Sequence, residues 1–437
     1  MAGSEAARMA NSHYSHVEMQ AMRIVPCLEN AQWKHLLFSR SHIDTDCMPI
    51  TDPDDLSRLL AEGRITAITI DTSIFDEKRL RLNSAVLQAL ARFKNRRFSF
   101  ILSGTVSREV LRHLKDAAEN GLRSAKKALG DALNVFETER PTRAELMEQI
   151  SGGMTAAEAA QARFDAYIEA TGCEILDDAA LVDLEAIINA YFTGEPPFGS
   201  GTKKSEFPDA LALGALEHRA NGRQTEFIVV SKDSDWRAFC EGSQRLHLLP
   251  DIERALSLIN DAPLVLRETL QAWLEEEQEG RTEILARLVD EIERTDFYVD
   301  GHPTSGEMEA IAWEGQLTDV DWPAEDDIDI IDVTDSENGD KQVILSVPLL
   351  LKVRIPVELS FSVWDSIDKE SISMGGRTIE VEEDQDVRAT VTLKILGLGE
   401  EDEALEIIDF EMDDLDNEIN IGSVDVFEEE DAWPEDI

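Results

Sequence analysis

Short apolar runs alternate with amphipathic segments from about residue 51 to residue 260, whereas residues 1–50 show only weak periodicity. Apolar residues at helical spacing predict helices at 53–61, 81–94, 179–192 and 207–220 and a long helix from Val106. An Ala-rich stretch at 121–170 is also predicted to be helical, broken at Pro141 and at 151–153. The runs between them predict strands at Ile65–Asp71, Phe98–Leu102, Cys173–Leu176, Glu226–Val230 and Leu246–Leu249. Strands that alternate with helices are typical of a parallel, doubly wound sheet. The predicted fold class is therefore α/β, with helices flanking the sheet.

The pattern changes after Asp300, where apolar and polar residues alternate with period two. Acid-rich loops at Asp321–Asp335 precede predicted strands at Gln342–Leu359, Ser360–Trp364, Thr378–Glu383, Val387–Ile395 and Ala404–Glu411. The first of these is long enough to be two strands, broken at Pro348 or Pro356. We predict an antiparallel all-β domain here.

Residues 251–297 are predicted to be mostly helical and to link the two regions. The expected buried set is Leu264, Leu266, Leu270, Trp273, Leu274, Ile284, Leu285, Leu288, Val289 and Ile292. A chain of 437 residues is too long for one core. The predicted division is a partly disordered leader (1–50), an α/β domain (51–260), a helical connector (261–300), an acidic β-rich domain (301–426) and a mobile acidic tail (427–437).

The net charge of -49 is unevenly distributed. Residues 301–437 hold 40 acidic and 7 basic residues, which argues against loose nucleic-acid binding by that half. Residues 79–127 hold 12 basic and 3 acidic residues. This basic segment either attracts phosphate or is a solvated helix surface.

The sequence also bears on where the protein is located in the cell. No apolar run is long enough to predict a membrane span, and the first residues lack the charged and apolar regions of a secretory signal. Four scattered cysteines fit a reducing compartment. We therefore expect a cytoplasmic protein.

Four acidic residues stand where a metal-dependent site needs them. Asp71 and Asp233 end predicted strands, and Glu109 and Asp209 lie near the starts of predicted helices. Open parallel sheets bind ligands outside the carboxyl ends of their strands, so these acids are expected to converge. Clustered carboxylates repel one another, and Mg²⁺ or Mn²⁺ would relieve that repulsion. The alternative is that the aspartates cap the following helices and that Glu109 only favours its helix N-terminus.

The segments around these acids resemble the acidic motifs of PIN-domain nucleases. They read Asp71-Thr72-Ser73-Ile74, Ser107-Arg108-Glu109-Val110, Phe207-Pro208-Asp209-Ala210 and Val230-Ser231-Lys232-Asp233-Ser234-Asp235-Trp236. Residues Lys204–Ala210 also resemble the Lys-x-Glu-Phe-x-Asp-Ala segment of a bacterial PIN-like branch. The resemblance covers about residues 63–250. Ser73 stands where Asn is frequent in the family, and Trp236 where Phe or Leu is usual; we predict that Trp236 packs in the core beside the site.

The resemblance implies a PIN-like α/β fold and a metal-dependent phosphodiesterase, usually an endoribonuclease. Asp71, Glu109, Asp209 and Asp233 would hold one or two Mg²⁺ or Mn²⁺ ions, and Asp235 matches a more variable acid. Thr72 and Ser231 match small hydroxyl positions that hydrogen-bond to neighbouring carboxylates. The bound ion would activate water and neutralise charge on the phosphorane. Candidate phosphate contacts are Lys203, Lys204, Arg108 and Arg112, although the two lysines are equally expected as a solvated pair.

The leading hypothesis is a nuclease that acts on nucleic acid, RNA before DNA. A second is an inactive PIN-like scaffold whose acidic C-terminal domain binds a basic protein partner. A third is that this domain shields the basic face of the first. A role in defence or as a toxin rests on family analogy, and the sequence leaves the oligomeric state open.

Overall fold

The computed structural model describes residues 53–136, 141–199, 206–275, 278–324, 327–336, 340–398 and 403–426. The predicted leader, Lys203, Lys204 and the predicted tail 427–437 lie outside these residues. All described residues belong to one compact unit, Met48–Ile437.

A five-stranded parallel sheet forms the centre of the first half. Its strands are β1 (Ile65–Ile70), β2 (Ser99–Leu102), β3 (Glu174–Ile175), β4 (Glu226–Val230) and β5 (Leu246–Leu249), in the spatial order β3-β2-β1-β4-β5. Every pairing in this sheet is parallel. Helices cover both faces of such sheets, which is why β4 is buried along its whole length. The predicted α/β architecture is confirmed.

Helices flank this sheet. They are α1 (Pro53–Ala61), α2 (Thr72–Glu77), α3 (Ala85–Ala89) with a 3₁₀ turn at Leu90–Phe93, α4 (Gly104–Val135), α5 (Arg143–Ser151), α6 (Ala156–Thr171), α7 (Asp178–Leu181), α8 (Leu184–Thr193), α9 (Phe207–Arg223), α10 (Ser234–Cys240) and α11 (Ile252–Asn260). Thr142 and Thr155 begin α5 and α6 with capping boxes, and Gly152 and Gly172 end them in the left-handed conformation.

Two predicted helices are shorter than expected. The segment predicted as a helix at 81–94 forms α3 and the 3₁₀ turn, and Ser84 caps α3 through its hydroxyl. The helix predicted at 179–192 divides because Asp183 accepts hydrogen bonds from the Glu185 and Ala186 amides and starts a new helix. Local capping therefore overrides a continuous apolar pattern at both places.

The second half is built on a long antiparallel hairpin. Its strands are β6 (Tyr298–Pro303), β7 (Glu307–Ala312), β8 (Gln316–Asp321), β9 (Asp329–Asp335), β10 (Lys341–Asp365), β11 (Glu370–Leu396), β12 (Ala404–Met412) and β13 (Glu418–Val424). β10 pairs with β11 on one side and with β7, β8 and β9 on the other, and β12 pairs with β11. β6 and β13 form a separate parallel pair. The predicted all-β second region is confirmed.

The predicted break in β10 at Pro348 or Pro356 is wrong, since this strand runs unbroken through both prolines. β9 pairs with residues 341–346 of β10, β8 with 350–354 and β7 with 357–362. Each proline therefore falls in a gap between neighbouring partner strands. A proline has no N–H to donate, so these gaps accommodate both residues without interrupting the strand.

Two other predictions for the second half need correction. The stretch Asp321–Asp335, expected as loops, contains β9, because Ile330 and Ile331 are buried. The strands predicted at 378–383 and 387–395 are parts of one strand, β11. In β11 acidic residues hide the period-two pattern at exposed positions such as Glu380 and Glu382, whereas in β9 the acidic Asp329 is itself buried.

Helices α12 (Leu264–Trp273) and α13 (Glu279–Glu293) connect the halves and pack on the β region. Their buried face includes Leu266, Leu270, Ile284, Leu288 and Ile292. Val289, predicted to be buried, is 38% exposed, and Leu285 is partly buried. The Leu264 side chain lies outside the described part of the chain.

Apolar and charged contacts join the α/β and β regions. Ile331 of β9 belongs to the core of the α/β region. Arg254 of α11 lies 3.3 Å from Asp329, and Arg388 of β11 lies 3.5 Å from Asp251. Across the described residues, no helix has both the length and the apolar character needed to cross a bilayer.

Candidate metal centre

The site lies where the strand order reverses. β1 is followed along the chain by β2 on one side, whereas its other neighbour is β4. Ligands bind in the crevice at such a switch point, outside the carboxyl ends of the strands. Ile70 pairs with Val230, so Asp71 and Ser231 leave these adjacent strands side by side. Asp233 follows two residues later.

Asp71 is held by hydrogen bonds to both of its carboxylate oxygens. Oδ1 accepts from the Thr72 amide at 2.6 Å, while Oδ2 accepts from the hydroxyls of Ser73 at 2.6 Å and Ser231 at 2.9 Å. Burial raises the pKa of Asp71, and these hydrogen bonds oppose that rise. The carboxylate is thus fixed in orientation at the seam between β1 and β4.

Glu109 is presented by the first turns of α4. Asp178 accepts hydrogen bonds from the Gly104 and Thr105 amides and fixes this helix N-terminus. A Cβ at Gly104 would lie 2.7 Å from the carbonyl oxygen of Leu176, so glycine is required for this close approach. The Thr72 hydroxyl donates to Glu109 Oε2 at 3.1 Å, which links Glu109 to the residue after Asp71.

Asp209 lies in the first turn of α9, after Pro208. The Trp236 indole Nε1 donates to Asp209 Oδ1 at 2.8 Å. Burial is the main reason that the pKa of Asp209 is raised to about 6; the indole opposes the rise, and Asp71, Asp233 and Glu109 add to it. The negative charges of the other three acids therefore disfavour ionisation of Asp209.

Asp233 caps α10 by accepting hydrogen bonds from the Asp235 amide at 2.6 Å and the Trp236 amide at 3.4 Å. Asp235 is half-buried, and its pKa is raised by burial and by Asp233 and Glu206. Glu206 is itself buried and accepts from the Gly199 amide. The acidic surroundings thus extend beyond the predicted quartet.

The capping alternative describes Asp71 and Asp233, since each accepts hydrogen bonds from the first amides of the following helix. Glu109 and Asp209 are not caps: the N-cap residues of their helices are Ser103 and Glu206. Capping does not prevent a carboxylate from binding an ion, because each of its oxygens has more than one lone pair. The capping hypothesis therefore explains Asp71 and Asp233, whereas Glu109 is the sixth residue of its helix and lies beyond the first turn that the alternative gave it.

Three residues of this site were missed by sequence reasoning or given another role. Ser73 and Trp236 were noted only as departures from the family pattern and as core packing, yet each donates a hydrogen bond to a predicted site acid. Trp236 is also buried, as predicted. Glu206 was quoted only as part of the Lys-x-Glu-Phe-x-Asp-Ala segment, and that segment was the one available signal for it.

The basic residues predicted to contact phosphate are partly described. Arg108 and Arg112 are exposed on α4, where Arg108 Nε donates to the Gly104 carbonyl. His113 on the same helix lies 2.8 Å from Asp76. Lys203 and Lys204 lie outside the described residues.

The donor chemistry of the site suits a hard divalent ion, since carboxylates and hydroxyls provide only oxygen ligands. Burial is the main cause of the raised pKa of Asp209, and the negative charges of Asp71, Asp233 and Glu109 add to it. Among the described residues, no three acidic, histidine or cysteine side chains are gathered closely enough to hold an ion as they stand. The residue types therefore suit a metal, whereas the described side chains do not form an assembled ligand set.

A comparison with protein families points to the same part of the chain as the geometry of the site. Residues 68–236 match the PIN domain family, and this span contains all four acids of the quartet. No curated protein and no solved structure matches the chain. PIN domains are commonly metal-dependent nucleases. Residues 68–236 of this chain are therefore a PIN domain.

Proposed function

We propose that this protein is a metal-dependent nuclease that cleaves phosphodiester bonds in RNA. The supporting observation is that hydrogen bonds link the elements carrying the four acids at the switch point of a parallel sheet: Thr72, which follows Asp71, donates to Glu109, and Trp236, in the helix that Asp233 caps, donates to Asp209. Carboxylates that disfavour one another's charge gain most from a divalent cation. Four such groups on four separate elements are hard to explain as helix caps alone.

In this proposal Asp71, Glu109, Asp209 and Asp233 hold Mg²⁺ or Mn²⁺, with Asp235 at the edge of the site. The bound ion supplies activation of water near neutral pH and neutralisation of charge on the phosphate. Ser73 and Ser231 orient Asp71, Trp236 orients Asp209 and Thr72 orients Glu109 through the hydrogen bonds described above. Ligands fixed in this way lose little freedom when an ion binds.

The test is cleavage of labelled single-stranded RNA by purified protein, with and without Mn²⁺. We expect metal-dependent cleavage that Asp71→Asn or Asp209→Asn reduces by at least about 100-fold, since each removes a charged ligand. Asp165→Asn is the matched control, because Asp165 is an exposed aspartate on α6. Cleavage that persists in Asp71→Asn, or that requires no metal, would contradict the proposal.

Calorimetry with Mn²⁺ separates the nuclease from the scaffold hypothesis. Saturable binding that Asp209→Asn weakens at least about 10-fold supports a metal centre. Heat of binding identical in both proteins would favour a PIN-like scaffold, whose acidic β region would then be tested for a basic protein partner.

A further inference from the structure

The structure divides the basic segment 79–127 into two parts. In the first part, Arg79 and Arg81 pair with Asp414 of the β region, and Arg92 lies 3.1 Å from Asp332. Arg92 also donates to Asn260. These three arginines face the acidic β region, so their charge is already balanced within the chain.

The second part lies on α4 and forms a single file of positive charge. Arg108, Arg112, Lys115, Arg123 and Lys126 follow one another at intervals of four, three, eight and three residues. At about 100° per residue they fall within an arc of roughly 80° on one face of the helix. All five are exposed, and we call this face the α4 basic stripe.

The stripe is directed away from the core. The buried positions of α4 include Val106, Val110 and Leu114, which lie on the opposite side of the helix. Glu119 lies within this arc, 3.5 Å from Lys115, and the exposed Asp116 lies about 20° outside it. An excess of positive charge therefore remains along the stripe.

The described contacts of the stripe are local to α4. Arg108 donates to the Gly104 carbonyl, Arg112 contacts His113 and Arg123 donates to Asn120. Such exposed contacts contribute little to stability, so these side chains can readily replace them with contacts to a phosphate. The acidic β region thus balances Arg79, Arg81 and Arg92, whereas the stripe faces solvent.

The dimensions of the stripe match an extended chain of phosphates. Arg108 and Lys126 are 18 positions apart, which is roughly 27 Å along a helix. The stripe begins at Arg108, next to Glu109 of the candidate metal centre. A single file of cations on a convex helix surface follows one backbone, whereas a duplex presents two.

We propose that the α4 basic stripe binds the phosphate backbone of single-stranded RNA and leads it to the acidic site. This inference rests on the proposed nuclease function for the direction of the strand, and on charge and geometry for binding itself. The stripe adds affinity for long substrates without reading sequence, because its contacts are to phosphates.

The experiment measures RNA binding in EDTA, by fluorescence anisotropy, so that cleavage does not intervene. The probes are single-stranded RNAs of about twelve and about three nucleotides. The variant is Lys115→Gln/Arg123→Gln/Lys126→Gln, which keeps good helix formers at all three positions. Lys127→Gln is compared with Lys126→Gln as a matched pair, since Lys127 is also exposed but is turned about 100° from its neighbour.

We expect the triple variant to bind the longer RNA about 10-fold more weakly, with little change for the shorter one. The slope of log affinity against log salt should become shallower by about 2, since each single-strand phosphate contact contributes about 0.7. Lys126→Gln should weaken binding and Lys127→Gln should not. Unchanged affinity of the triple variant, confirmed to be folded by circular dichroism, would overturn the proposal, as would tighter binding of duplex RNA or of single-stranded DNA.

Different results would refute the proposed nuclease function and the proposed role of the α4 basic stripe. RNA that binds through the stripe but is not cleaved with Mn²⁺ would remove the nuclease function and leave the binding surface. Cleavage of long RNA that is equally efficient in the triple variant would remove the stripe and leave the nuclease.

Discussion

At the scale of single residues, the site is defined by what holds each acid. Asp71 accepts from two serine hydroxyls, Glu109 from a threonine and Asp209 from an indole. These neutral donors orient the carboxylates without cancelling their charge. An arginine in any of these places would occupy the carboxylate and compete with a cation.

Asp209→Asn is expected to stabilise the metal-free protein at pH 7.5. The pKa of Asp209 rises from 3.8 to about 6 on folding, so its stabilising contribution is complete below about pH 4 and is lost as the pH rises through about 6. The full shift corresponds to ~3 kcal/mol, and solvent screening of this half-buried group reduces the expected gain to about 1 kcal/mol. The Asn oxygen still accepts from Trp236.

Urea unfolding in EDTA at pH 7.5 and pH 4 measures this effect. The gain in the free energy of unfolding should be present at pH 7.5 and absent at pH 4. A variant that is less stable than wild type at pH 7.5 would show that ionisation of Asp209 does not destabilise the folded state.

At the scale of secondary structure, the end of α2 is tied to α11 and to the β12–β13 turn. The Lys78 ammonium lies 2.7 Å from Glu253 and 3.4 Å from Asp413. Burial lowers the pKa of Lys78, but Glu253, Asp413 and Glu77 raise it by more, so the net shift is upward. Lys78 and Glu253 are both buried, which makes this a buried ion pair.

Lys78→Met is expected to destabilise the fold by about 3–5 kcal/mol, because it leaves the Glu253 carboxylate buried without a cation. Lys78→Met/Glu253→Gln should recover part of the loss. Lys232→Met is the matched control, since Lys232 pairs with Glu77 at 3.0 Å but is half-exposed and should cost at most ~1 kcal/mol. Equal losses in Lys78→Met and Lys232→Met, measured by urea unfolding, would contradict a buried pair.

The secondary structure also shows which features of the fold and of the candidate site the sequence predicts and which it does not. Strands β1 and β4 were predictable because apolar runs end at Asp71 and near Asp233, and parallel strands end at one edge. The partner of Asp209 was not predictable, because Trp236 reaches Asp209 only through the packing of α9 against α10. The continuity of β10 was missed because the gaps that admit its prolines depend on three other strands.

At the scale of the whole molecule, opposite charges meet between the α/β and β regions. The acidic β region contacts Arg79, Arg81 and Arg92. The shielding hypothesis is thus consistent with one end of the basic segment. The α4 basic stripe continues beyond that contact, so the two ends of the segment have different surroundings.

Asp413→Asn/Asp414→Asn is expected to raise RNA affinity severalfold, because it releases Arg79 and Arg81 from their carboxylate partner. Binding should also depend more steeply on salt, by about 0.7 for each arginine that reaches a phosphate. The control Asp319→Asn/Asp335→Asn removes the same charge from pairs internal to the β region. Equal gains in both variants would show that net charge, rather than the released arginines, sets the affinity.

The hydrogen bond from Ser231 to Asp71 joins adjacent strands, and this has a consequence for how the protein could fail. A slip of β4 by one residue against β1 would replace Ser231 with Val230 or Lys232 beside Asp71 and turn alternate side chains to the other face of the sheet. Such a chain would keep its helices and much of its compactness while losing the hydrogen bond from Ser231 that orients Asp71. Correct strand alignment and catalytic competence would then be acquired in the same folding event, and activity would report on it more sensitively than any measure of helix content.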